Sequence, residues 1–170
     1  LRTDTGFGRT DVYSGPFAGN SQRARDLRKA MLLVTPRAQM VTNLIAPVKA
    51  DATPLNSQFV FQGTPEYNTI TKASGVNVFS NGTQAERTAA ALALVKKYYP
   101  TASETNPAVK IKFLHYNNAT RNNMGALIVA ETRKAGFDVE EIKKDVTFFD
   151  DINTTMSDVA MYGLGLNAIS

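Results

Sequence analysis

Few residues of this chain have side chains suited to act on a substrate, and the first is a single imidazole. His115 stands in the run Val109-Lys110-Ile111-Lys112-Phe113-Leu114-His115-Tyr116, in a sequence with no cysteine and no second histidine. A metal site would need carboxylates such as Asp150 and Asp151 to converge on that ring, and acyl transfer would need an exposed serine beside it. Alternation along the run puts His115 on the face of Val109, Ile111 and Phe113, so it reads as a hydrogen-bonded structural histidine. The paired carboxylates Asp150-Asp151 and Glu140-Glu141 are not built as a proton-sharing dyad, because adjacent residues on a helix or strand point apart. Both read as solvated faces. These groups give no expectation of catalysis, of a metal or of a cofactor.

A glycine motif remains. Gly163-Leu164-Gly165-Leu166-Asn167-Ala168 follows an apolar run and matches the outline G-x-G-x-x-A of a dinucleotide-binding turn. That turn belongs after the first strand of its unit, with an acidic residue about 20 positions on. Here the motif follows the last expected strand. It keeps a small nucleotide-binding α/β domain as a rival reading of a different class. Ligands of α/β sheets bind beyond the carboxyl ends of the strands. That rule selects two groups of cleft candidates: Tyr116, Asn117 and Asn118 at the carboxyl end of one strand, and Gly163, Leu164, Gly165 and Asn167 after another. The bland alternatives are a helix cap with its turn and a glycine-rich return loop.

The elements that must position these residues can be read from pattern. The period-two run predicts a strand over 109–116, and residues 137–145 and 158–162 predict two more. Asn118 or Thr120 caps a helix carrying Met124, Leu127, Ile128 and Glu131, and Gly136 ends it. A short helix is expected over 148–154. The order β-α-β-α-β makes the three strands parallel neighbours. Upstream, 7–14 reads weakly as a strand closed by Gly15-Pro16. Ser21 caps a helix whose stripe is Ala24, Leu27, Met31 and Leu32. Thr35-Pro36 opens a second helix burying Met40, Val41, Leu44 and Ile45. Residues 46–81, anchored by Phe59, Val60 and Phe61, read as a long ordered loop. Thr83-Gln84-Ala85-Glu86 is a capping box, opening a helix with stripe Leu92, Val95 and Tyr99 that Pro100 stops.

Composition narrows the class. A chain of 170 residues is long enough to bury about 70% of its unfolded surface in one core. Nineteen basic against 15 acidic residues give a net charge of +4, and the basic ones are scattered, so no nucleic-acid footprint is expected. No apolar run reaches the roughly 18 residues of a membrane span. Residues 1–13 have neither the basic start nor the apolar middle of an export signal.

Taken in order, these stretches resemble family 5 of the bacterial extracellular solute-binding proteins, the oligopeptide- and dipeptide-binding kind. Gly15-Pro16-Phe17, Arg23-Ala24-Arg25 with Ala30, and Pro36-Arg37-Ala38-Gln39-Met40-Val41 stand where that family opens its second lobe. Thr53-Pro54-Leu55-Asn56-Ser57 echoes a following loop, and 84–99 echoes its next helix. Asn117-Asn118, Arg121, Ala135-Gly136-Phe137-Asp138-Val139 and Asp158-Val159-Ala160-Met161-Tyr162-Gly163 follow the strand, helix and strand pattern after that. The resemblance implies an α/β fold, the second lobe of a type II clamp, with a mixed or parallel sheet of four or five strands and flanking helices. It implies a single lobe, 1–170, excised from a larger two-lobed protein, with a helical and long-loop part over 1–105 and a βαβαβ part over 106–170.

Function follows from the same resemblance. It implies a monomeric ligand-capture subunit of an ABC importer, not an enzyme, closing on oligopeptides and handing them to membrane permease subunits. Its place would be extracytoplasmic, either periplasmic or as a lipoprotein anchored by a segment outside this chain. Relatives carry a tryptophan and then an aspartate after the last strand, the aspartate pairing with the ligand's amino group. Leu164 and Asn167 stand there instead. An amide has no charge to set against an ammonium, so a non-peptide solute such as an oligosaccharide competes with peptide.

Overall fold

The computed structural model describes Leu1 and residues 13–57, 60, 62–145 and 157–161. Helix α1, Gln22–Val34, starts at Ser21, whose hydroxyl accepts from the Ala24 amide at 3.2 Å. It buries Ala24, Leu27, Ala30, Met31, Leu33 and Val34, whereas Leu32 is 43% exposed. The sequence reading put Leu32 in the stripe. The three-four spacing of 24, 27, 31 continues to 34, and position 32 lies about 100° round from 31.

Thr35 closes α1 rather than opening the next helix: its hydroxyl donates to the Met31 carbonyl at 2.8 Å. Helix α2, Arg37–Leu44, therefore begins at Pro36 with no side-chain cap, and none of its residues is fully buried. The expected burial of Met40, Val41, Leu44 and Ile45 is only partial, because so short a helix meets the body on one flank, against a later helix.

The stretch 46–81 is not a plain loop. Thr64-Pro65 starts helix α3, Pro65–Ala73, and Gly75, at φ +69°, leads into a 3₁₀ turn at Val76–Phe79. The excursion is tied to itself by Asn56. Its amide nitrogen Nδ2 donates to Asn77 Oδ1 at 3.0 Å and Ser80 Oγ at 2.9 Å, and its backbone N–H donates to the Tyr67 hydroxyl at 2.7 Å.

Helix α4, Gln84–Lys96, has the expected capping box, with Thr83 Oγ1 accepting from the Glu86 amide and Glu86 Oε2 accepting from the Thr83 amide. It ends three residues before Tyr99, and Tyr98 and Tyr99 continue as a turn to Pro100. Arg87 reaches back from its buried face to the carbonyls of Asn81 at 3.1 Å and Gly82 at 2.8 Å, fixing the turn before the helix.

Strand β1, Val109–Tyr116, is central. It pairs in parallel with β2, Phe137–Lys144, on one side and β3, Val159–Met161, on the other, giving the order β2-β1-β3. Three strands make up the sheet among the described residues. Helix α5, Ala119–Lys134, links β1 to β2. Gly136, at φ +85°, makes the turn from α5 into β2, and a Cβ there would sit 3.0 Å from that of Ala102. The expected strand at 7–14 lies mostly outside the described residues, as does the expected helix at 148–154.

One face of the sheet, with Val109, Ile111, Phe113 and Phe137, packs on Phe17, Leu27, Val34 and Val95 to form the core. Polar chains cross between the helices. Gln84 donates to the Val34 carbonyl at 3.0 Å, and Thr88 donates to Glu131 Oε1 at 2.7 Å. Asp26 on α1 accepts from Tyr98 at 2.8 Å, Gln22 at 2.8 Å and Lys97 at 3.3 Å.

The Tyr98 hydrogen bond, against the opposing effect of burial and with help from Gln22 and Lys97, holds the Asp26 carboxyl below its ordinary value. A lowered folded value means that the stability it supplies is present above the unfolded value and lost as pH falls through the folded one. Asp26→Asn is expected to cost about 1–3 kcal/mol at neutral pH. It should also flatten the loss of stability below about pH 4. Urea unfolding at a series of pH values checks both.

Candidate functional site

The sheet order sets where a ligand would sit. Chain connections run from β1 to β2 on one side and then back across to β3 on the other, so the switch point lies between β1 and β3, at their carboxyl ends. Register places Met161, the last residue of β3, beside His115. β3 thus ends at the end of the sheet where β1 closes with Tyr116 and leads to Asn117 and Asn118. Gly163, Leu164, Gly165 and Asn167 lie outside the described residues, as do Asp150 and Asp151.

Asn117 and Asn118, the two residues after β1, have structural work. Asn118 is the N-cap of α5, its Oδ1 accepting from the Arg121 amide at 2.9 Å. Asn117 extends the ladder by one bond, its N–H donating to the Lys144 carbonyl at 2.7 Å. Its side-chain nitrogen donates to Asp145 Oδ1 at 2.9 Å, and its Oδ1 accepts from Asn122 at 3.1 Å. Tyr116 is half-buried beside them. The result is a rim in which Asn117 and Asn118 are held by Asn122, Asp145 and the first turn of α5. Asn122 and Asp145 were missed from sequence, because only the β1–β2 register brings 145 and 117 together.

Beneath the rim, His115 is fully buried. Its Nδ1 lies 2.9 Å from the Tyr116 carbonyl oxygen and its Nε2 2.7 Å from Glu141 Oε1. Lys143 Nζ is 3.2 Å from the other carboxylate oxygen. Burial raises the Glu141 carboxyl, but the hydrogen bond with His115, together with Lys143, outweighs it and holds the group below its ordinary value. The structural-histidine reading of His115 holds; the solvated-face reading of Glu141 does not, since Glu141 is half-buried against the ring. A Cβ on Gly125 of α5 would come within 2.4 Å of Glu141 Oε1 and 2.9 Å of His115 Nε2, so the helix rides directly over the pair.

The other end of the sheet holds a buried acid. Asp158 Oδ2 accepts from the Lys112 amide at 2.6 Å, its own N–H donates to the Lys112 carbonyl at 2.9 Å, and Oδ1 accepts from the Tyr13 hydroxyl. Gly15 has no room for a Cβ, which would lie 2.2 Å from Asp158 Oδ1. A cleft of about 560 Å³ opens here, lined in part by Ser14, Pro16, Lys110, Lys112, Asp138 and Glu140. Tyr116, Asn117 and Asn118 do not line it. Its wall alternates charge, with Lys110 beside Asp138 and Lys112 beside Glu140 in register. Among the described residues no group of three or more histidines and acids could hold a metal ion, and no helix is long and apolar enough to cross a membrane.

No family model and no curated protein sequence matches the chain. Solved structures do. The chain is similar to the Escherichia coli murein tripeptide binding protein MppA, with 19% identity and a TM-score of 0.57 over 86% of this chain and 26% of that one. The chain shares its fold with part of that protein. The unliganded open form of periplasmic MppA matches with 15% identity and a TM-score of 0.51 over 81% of this chain and 24% of that one. Haemophilus influenzae OppA in complex with RPPGFSPFR matches with 18% identity and a TM-score of 0.51, covering 82% and 26%. The chain thus spans about a quarter of the length of these neighbours.

Because Asn118 satisfies the first turn of α5, Asn118→Ala is expected to cost about 1 kcal/mol, and Asn118→Asp or Ser much less. Thermal or chemical denaturation of the three variants checks the ranking.

Proposed function

We propose that this chain forms the second lobe of a two-lobed, peptide-capturing receptor, the extracytoplasmic ligand-binding subunit of an ABC importer. The observation that carries the reading is the parallel β2-β1-β3 sheet in a fold shared with a murein tripeptide binding protein and with an oligopeptide-bound OppA. Ligand would lie beyond Tyr116, Asn117 and Asn118 and against Gly163, Leu164, Gly165 and Asn167. The other lobe would close over it by a hinge, and the closed form would be read by permease subunits. The division into a helical part, 1–105, and a βαβαβ part, 106–170, belongs to the same proposal. No bond is made or broken in this mechanism. Specificity comes from polar groups that pair with ligand only in the closed state.

A polar solute other than peptide is the second reading, favoured by Asn167 standing where a charge-bearing aspartate would pair with a free amino group.

A thermal-shift screen of the receptor that carries this lobe, beside the lobe alone, tests both readings with short peptides, oligosaccharides and nucleotides. Ligand at a hundred times its dissociation constant adds about 2.7 kcal/mol, a shift of several degrees. The expected result is a shift of the receptor by peptides and none of the lobe alone. A shift by oligosaccharides moves the assignment to the second reading. A nucleotide shift of the lobe alone overturns the receptor reading and restores the glycine turn at Gly163.

A further inference from the structure

His115 is the chain's only histidine and its ring has no contact with solvent. A carbonyl oxygen can only accept, so the 2.9 Å contact with Tyr116 places a hydrogen on Nδ1. A neutral imidazole carries one N–H, which would leave Nε2 as a bare acceptor 2.7 Å from a carboxylate oxygen. Two lone pairs at that distance repel. The contact is satisfied only when one further proton lies between Nε2 and Oε1.

We infer that the His115–Glu141 pair holds this extra proton in the folded protein, making His115 a proton-dependent positioning residue for the Tyr116–Asn118 rim.

The surroundings favour a charged pair. From β2, Lys143 occupies the second oxygen of Glu141 at 3.2 Å, which keeps the carboxylate an acceptor. The 2.7 Å contact leaves no room for a water between the two groups; from α5, uncharged Gly125 lies over the pair, and Arg121 one turn earlier has its NH1 3.3 Å from Met124 Sδ. From β3, the neighbour in register is uncharged Met161. On β1, Lys110 and Lys112 point to the opposite face, and Lys144 and Asp145 lie past the pair at the end of β2. Loss of the proton turns an attraction into a repulsion between β1 and β2 where the chain leaves for Asn117 and Asn118. The link to ligand rests on the proposed receptor function; the proton itself does not.

The two parts are tested separately. A chain with one histidine gives one imidazole spin system, so ¹⁵N NMR of the folded protein reads the ring directly. At about pH 7.5, where a free imidazole is mostly neutral, both ring nitrogens of His115 are expected to carry hydrogen. In Glu141→Gln, whose side chain keeps the shape and removes the charge, the ring should be a neutral tautomer. The folded state then binds one proton more than the unfolded chain above about pH 6.5. Stability must therefore fall as pH rises, with the folding constant dropping by up to about tenfold per pH unit until the folded pair releases its proton. E141Q should lack that slope. A neutral ring in the folded wild-type protein, or the same slope in E141Q, overturns the inference, and the wild-type spectrum decides it even if E141Q fails to fold. In the receptor, peptide affinity should weaken over the same pH range in wild type and not in E141Q. An unchanged affinity beside a confirmed proton overturns the positioning role alone.

Discussion

A strand added in parallel beside another shares no tight turn with it, so its register has to be set by something other than a hairpin. Here a buried carboxylate does it. Asp158 exchanges two bonds with the backbone of Lys112, one through its side chain and one through its N–H, and takes a third from Tyr13. Those bonds place Val159 opposite Phe113 and Met161 opposite His115. Shifted by one residue, β3 would turn its faces over, and the chain would leave the sheet on the wrong side of Tyr116. Gly15 is part of the same constraint, because any side chain there would push the tyrosine and the acid apart. The switch point between β1 and β3, and with it the location of a cleft, depends on this one knot.

The core works to the same end. Val109, Ile111, Phe113 and Phe137 give the sheet an apolar face against α1, α4 and α5, and α5 is drawn down until Gly125 lies over His115 and Glu141. A helix packed this tightly holds its first turn rigidly at the carboxyl end of β1, where Asn118 caps it. Preorganised polar groups of this kind lower the cost of ordering a ligand site.

Much of this was legible in the sequence where the signal is local. The alternation of β1, the Thr83 capping box, the Ser21 cap and Gly136 all act within a few residues of themselves, and each is found where pattern put it. Two misreadings have local causes as well. Thr64-Pro65 has the same form as Thr35-Pro36, but only Thr64 occupies the N-cap position before a first-turn proline, without a side-chain cap bond; Thr35 closes the helix behind it with its hydroxyl. Glu141 differs. The period of two that puts Phe137 and Val139 inward puts Glu141 on the same face, so its half-burial was readable. Its partner was not, since pairing 115 with 141 requires the parallel register and the position of α5.

The candidate site divides along the same line. Of the residues expected to face a ligand after β1, Asn118 is committed to the helix cap and Asn117 to the two strand ends, with the amide and carboxylate groups of Asn122 and Asp145 completing the ring. Such a rim offers a ligand a fixed edge more than free side chains. In a chain that spans about a quarter of its structural neighbours, this division suits the clamp proposed above. A clamp discriminates by groups that meet the ligand only on closure, so the groups that choose the cargo are best carried by the surface that moves. In that proposal the surface it closes against gains most from being rigid, and a rim whose Asn117 and Asn118 side chains are already hydrogen-bonded has little ordering entropy left to lose.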